Sequence, residues 1–127
     1  MGYMGWGRIS IRQDDRLFSI FVRKLRGWKC EKCGTYFENG HGLQASHFYG
    51  RRKETTRFDL ENVHCLCISD HQYFEENPNE YVSWVKERMS EKDFHNLRIR
   101  AHLTGKKDVK KNILAIRLDA KKNGIVL

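Results

Sequence analysis

A chain of 127 residues suits one domain with one modest core. With 39% hydrophobic and 31% charged residues it is not globally disordered, and no apolar run approaches the roughly 20 residues that cross a bilayer, so no membrane role is expected. The net charge of +8, from 24 Lys and Arg against 16 Asp and Glu, favours a polyanionic partner bound in a salt-dependent way, although a solvated basic surface carries the same signature.

Residues 1–13 read as an N-terminal extension. Met1 to Gly7 lack the basic start and long apolar stretch of a signal peptide, so the expected location is cytoplasmic. From Asp14 to Arg26 an amphipathic helix is predicted, with Leu17, Ile20, Phe21 and Leu25 on its apolar face and Gly27 as its stop. Trp28 to Gly42 reads as a knuckle and loop, in which Gly34 supplies the backbone angles of a tight turn. Leu43 to Phe48 partly alternates and predicts a short strand with Leu43, Ala45 and His47 on one face. A basic loop, Gly50 to Arg57, leads to a second strand over Phe58 to Leu66. A helix then runs from Cys67 to about Asn77, which closes a core of residues 28–77.

Residues 78–127 read as a helical tail. Pro78 opens a helix whose face holds Tyr81, Trp84, Val85 and Arg88. Ser90 caps the next, with Phe94, Leu97 and Ala101 in line. Gly105 interrupts, and Val109, Ile113, Ile116 and Ala120 form the last stripe. The fold class predicted is α+β.

In a reducing compartment the four cysteines read as metal ligands rather than disulfides. Cys30-x-x-Cys33 and Cys67-x-x-Asp70 are two short chelating turns of the kind that together hold a tetrahedral structural zinc. Asp70 is an unusual fourth ligand, with Cys65, His64 or His71 as alternatives; buried free thiols beside an unrelated CxxC are the plainer reading.

Between the half-sites lie Ser46-His47-Phe48 and Glu61-Asn62-Val63, and Cys67-Ile68-Ser69-Asp70-His71 closes the series. This order resembles the HNH, or ββα-metal, endonuclease family. The stretch Leu43 to Arg52 with Thr56-Arg57-Phe58-Asp59 is most similar to the NinG-type recombination nucleases of phages and related phage HNH proteins. The resemblance implies a zinc-stapled ββα-metal centre and a phage-encoded DNA endonuclease of recombination or processing, acting in the bacterial cytosol. His47 would be the general base, and Asn62 would fix the hairpin loop and orient that base by a hydrogen bond. His71 would hold a catalytic Mg²⁺ or Mn²⁺. Singly, each has a plainer role: a packed strand histidine, a turn asparagine, a zinc ligand.

Two positions depart from the family. Ser46 stands where many members have a metal-binding Asp, so Ser46 itself or Glu75, one helical turn after His71, would be the second protein ligand, although an exposed partner of a surface Lys is the preferred reading of Glu75. Asp70 stands where a Cys is usual. Arg51, Arg52, Lys53 and Arg57 are the expected DNA contacts, with Tyr49 placed to stack or pack. Arg23, Lys24 and Arg26 could extend the track, as could Lys106, Lys107, Lys110 and Lys111, although a solvated face is the simpler reading of those last lysines. The alternative function is a non-catalytic, zinc-containing DNA-binding module, and the chain is compatible with a monomer or a homodimer.

Overall fold

A computed structural model describes residues 11–127; residues 1–10, with most of the expected extension and the Met1 to Gly7 stretch, lie outside the described residues. Among the described residues the chain is α+β, with five α-helices and one two-stranded antiparallel sheet. None of these helices is long and apolar enough to cross a membrane.

Helix α1 spans Gln13–Leu25, with Asp14 and Asp15 in its first turn and Arg23 and Lys24 in its last, which suits the helix dipole. Its buried residues are Phe18, Phe21 and Val22 together with Asp14 and Asp15. The packed face is therefore rotated from the expected Leu17–Ile20–Phe21–Leu25 stripe. Two carboxylates share that face because each has a partner: Asp14 bonds Arg12 and Asn112, and Asp15 bonds Arg57. Hydrophobic periodicity alone cannot register a buried ion pair.

The knuckle closes by an isolated bridge between Lys29 and Tyr36. The Gly34 amide donates to the Cys30 carbonyl at 2.8 Å. Gly34 takes φ +76°, the left-handed backbone that the tight turn requires.

Strand β1 is Leu43–His47 and β2 is Val63–Cys67, paired from Leu43 opposite Cys67 to His47 opposite Val63. The second strand thus begins five residues later than the expected Phe58. Residues 50–62 instead form successive tight turns, with Lys53, Thr56, Asp59 and Asn62 amides each donating to the carbonyl three residues back. Those turns satisfy the backbone locally and leave nothing for a longer ladder.

Helix α2, Ile68–Glu76, follows β2 directly, capped by the Cys67 sulfur on the Asp70 amide. Helices α3 (Pro78–Arg88), α4 (Glu91–Ala101) and α5 (Val109–Lys122) complete the tail, with Pro78 in the first turn of α3 and Ser90 capping α4 as expected. Tyr81, Val85, Leu97, Ala101, Ile116 and Ala120 are buried, as their stripes predict, whereas Arg88 is exposed, stacked on Trp84 and paired with Glu31. The core gathers α1, both strands, α2, α3 and the inner face of α5.

Candidate functional site

The two half-sites meet. The knuckle brings Cys30 and Cys33 to the point where β2 ends in Cys67 and α2 begins with Asp70, and the four ligand atoms all lie within 4.8 Å of one another. Asp70 Oδ2 is 3.2 Å from Cys30 Sγ and 3.3 Å from Cys67 Sγ, and the Cys33 and Cys67 sulfurs are 4.0 Å apart. Ligands at ~2.3 Å around a tetrahedral zinc stand about 3.8 Å apart, so the donor set fits that ion. Burial opposes the charge on Asp70, but hydrogen bonds from the three thiols and the nearby Lys32 ammonium prevail and hold its carboxyl below the usual range.

The alternatives for the fourth position fall elsewhere. Cys65 is fully buried in the apolar core, where burial pushes its thiol up to about 12. His64 bonds the Tyr81 hydroxyl, and His71 turns to Ser46 and Glu75.

A cleft of about 590 Å³ opens beside the sheet, lined by Ser19 and Arg23 of α1, His47 of β1, Arg51 of the hairpin loop, and His71 and Glu75 of α2. The ring nitrogen Nε2 of His47 stands 2.9 Å from the Arg57 carbonyl. A carbonyl only accepts, so Nε2 carries the proton and Nδ1 of the neutral ring keeps its lone pair. Burial pushes the His47 pKa down to about 4, which keeps the imidazole neutral at pH 7.

Asn62 is wholly buried and holds the loop as expected. Its side-chain amide donates to the Tyr49 and Thr56 carbonyls at 2.9 and 3.0 Å, and its oxygen accepts from the Tyr49 amide at 2.7 Å. It does not orient His47 directly: that bond belongs to the Arg57 carbonyl, one residue beyond the Thr56 that Asn62 grips. Asn62→Ala leaves three backbone groups without partners, so unfolding free energy in urea is expected to fall by about 3 kcal/mol.

His71 points back from α2 to the hairpin, with Nδ1 3.1 Å from Ser46 Oγ. That hydroxyl is 3.0 Å from the Tyr81 hydroxyl, which is 2.9 Å from His64 Nδ1. Ser46 is buried and engaged on both sides, so it is an orienting partner of His71 and not an open metal ligand. On the other edge of the His71 ring, Nε2 donates to Glu75 Oε1 at 2.8 Å; Glu75 thus pairs with the histidine and not with a surface Lys. Tyr81 read as a core residue in the sequence, and nothing in its spacing signals that its hydroxyl joins the two strands to α3.

Arg57 is the one expected DNA contact that is withdrawn. Its guanidinium is buried, bonded to both oxygens of Asp15, to Glu54 and to the Arg51 carbonyl. Arg51, Arg52 and Lys53 are exposed and free of ion pairs among the described residues. Arg26 faces Glu31 and Lys24 bonds the Val126 carbonyl, which leaves Arg23 as the cation of α1 that lines the cleft.

His47 and His64 are both held neutral by burial, with pKa values near 4 and 3. The unfolded chain binds their protons near pH 6.5, so the stability they permit is complete above that pH and is lost as pH falls toward 4. Urea unfolding between pH 7 and 5 is expected to lose up to about 2.7 kcal/mol per pH unit at its steepest, less in His64→Gln. A flat profile down to pH 5 would remove the assignment of two neutral buried rings.

Comparison of the chain with protein-family models, curated proteins and solved structures finds no match in any of the three.

Proposed function

We propose that the protein is a metal-dependent endonuclease that hydrolyses DNA phosphodiester bonds. His47 is its general base, His71 and Glu75 hold a catalytic Mg²⁺ or Mn²⁺, and Cys30, Cys33, Cys67 and Asp70 hold a structural zinc. The observation that carries the reading is the cleft itself. One wall presents a neutral imidazole with a free Nδ1, the other a His–Glu pair, and Arg23 and Arg51 lie on the same lining.

The His71–Glu75 pair fits the ion by separation. Adjacent ligands on an octahedral ion at ~2.1 Å stand about 3 Å apart, and Nε2 and Oε1 are 2.8 Å apart. When bound, a divalent ion supplies positive charge against the oxyanions that develop on phosphorus. The chain's own groups do the rest. His47 Nδ1 takes the proton of the attacking water, and the Arg57 carbonyl, already bonded to Nε2–H, steadies the imidazolium that forms. Ser46 and Tyr81 keep the His71 ring in place, since each hydroxyl can donate or accept as the ring's Nδ1 requires. Arg51 and Arg23 contact the phosphates flanking the cut.

The experiment is cleavage of linear, single-stranded and branched DNA with Mg²⁺ or Mn²⁺. Wild-type protein cuts or nicks at least one of these substrates, and His47→Ala binds but does not cut. Binding without cutting by either protein would instead leave a zinc-containing DNA-binding module. Recombination or processing of phage DNA is the setting this activity would serve.

A further inference from the structure

The α4–α5 linker, residues 102–108, is bolted to the hairpin loop that flanks His47. Thr55 Oγ1 donates to the Arg100 carbonyl at 2.6 Å, and the Arg100 guanidinium reaches back to Asp59 and Glu61, each at 2.7 Å. The His102 ring meets Tyr49 edge-on, with centroids 6.1 Å apart. At Gly105 the backbones come so close that a Cβ would sit 2.9 Å from Thr55 Cγ2 and 3.1 Å from the Thr55 amide nitrogen. A side chain at that approach would force Thr55 to shift, and the next two residues are Lys106 and Lys107, both exposed.

The charge on this face is mainly positive. Glu54 is paired with Arg12 and Arg57, and Asp59 and Glu61 with Arg100; Asp108 caps the Lys111 amide and keeps its negative charge. Arg51, Arg52, Lys53, Lys106 and Lys107 form no ion pair among the described residues. Five free cations on two abutting loops suit a phosphate backbone, whose counterions they would displace.

We propose that the linker is a second phosphate-contacting arm, in which Lys106 and Lys107 continue the Arg51–Lys53 loop and DNA spans both. The inference rests on the DNA reading above and adds where the strand runs beyond the cleft. The free lysines, rather than the paired arginines beside them, are the contacts.

The test is the salt dependence of binding to a fluorescently labelled random-sequence duplex, with Ca²⁺ in place of the catalytic ion. The double variant Lys106→Gln/Lys107→Gln is expected to reduce the slope of log K against log salt by about 2 and to weaken binding about ten-fold near 0.1 M salt. Lys121→Gln/Lys122→Gln, which removes equal charge at the far end of α5, about 20 Å along the helix, is expected to leave the slope within about 0.5 of wild type. Equal losses in both variants, or an unchanged slope in the first, would overturn the second arm while leaving the nuclease reading intact. A wild-type protein with no DNA affinity at low salt would overturn both.

Discussion

His47→Ala is expected to lower the rate of metal-dependent DNA cleavage by at least about 10³-fold, with duplex affinity within about two-fold of wild type. The size follows from the role of general base proposed for the ring. Its Nε2–H is tied to the Arg57 carbonyl, so the lone pair sits on Nδ1, and burial holds the ring neutral down to about pH 4. A base with so low a pKa is weak in the ground state, yet it is deprotonated across the whole physiological range. The Arg57 carbonyl favours the protonated ring as it forms and recovers part of the lost basicity, but burial outweighs it. The rate of the wild type should therefore stay level from pH 8 down to about 6 as far as this base is concerned. Single-turnover cleavage of a labelled duplex with Mn²⁺ checks the rate, and anisotropy with Ca²⁺ checks the affinity. If the alanine variant cleaves at near wild-type rates, His47 is a packed strand residue and the general base is elsewhere.

The parts of this site that were legible in the sequence are those whose geometry is local. Cys30-x-x-Cys33 and Cys67-x-x-Asp70 each chelate within a single turn, and the structure brings all four together. His71 and Glu75 share a helix face by their spacing alone. What spacing does not carry is which partner a polar side chain finds across the fold. Arg57 lies in the basic loop and reads as a phosphate contact, yet Asp15, 42 residues earlier, takes it inside. Ser46 occupies a metal-ligand position in the pattern, but α3 lays the Tyr81 hydroxyl against it and turns it into a support for His71. The late start of β2 has the same origin. The Asn62 side chain supplies to Tyr49 and Thr56 the bonds that a longer ladder would have made.

Removal of the zinc proposed for the Cys3Asp site is expected to unfold the protein. The apolar core is modest, and a domain of this size is held by about 5–15 kcal/mol in total. Structural zinc contributes an apparent 10–16 kcal/mol in small metal-stapled folds, which is comparable to that whole margin. The site also joins segments distant in the chain: the knuckle after α1, the end of β2 and the start of α2 have no disulfide between them, and all four cysteines are free. Without the ion, a carboxylate and three sulfurs would crowd within 4.8 Å, with one lysine at 3.7 Å as the nearest opposite charge. Purified protein should contain one zinc per chain. A strong chelator, or Cys30→Ser or Cys67→Ser, should abolish the cooperative thermal transition, and Asp70→Asn should weaken metal affinity while keeping the fold at saturating zinc. Cys65→Ser is the discriminating variant. Its hydroxyl is buried in apolar surroundings and costs some stability, but it should leave zinc stoichiometry and the thiolate-to-cobalt absorption of the Co²⁺ form unchanged. Loss of one thiolate from that spectrum in Cys65→Ser, or an apo protein as stable as the metal-loaded one, would show that these four residues do not staple the fold.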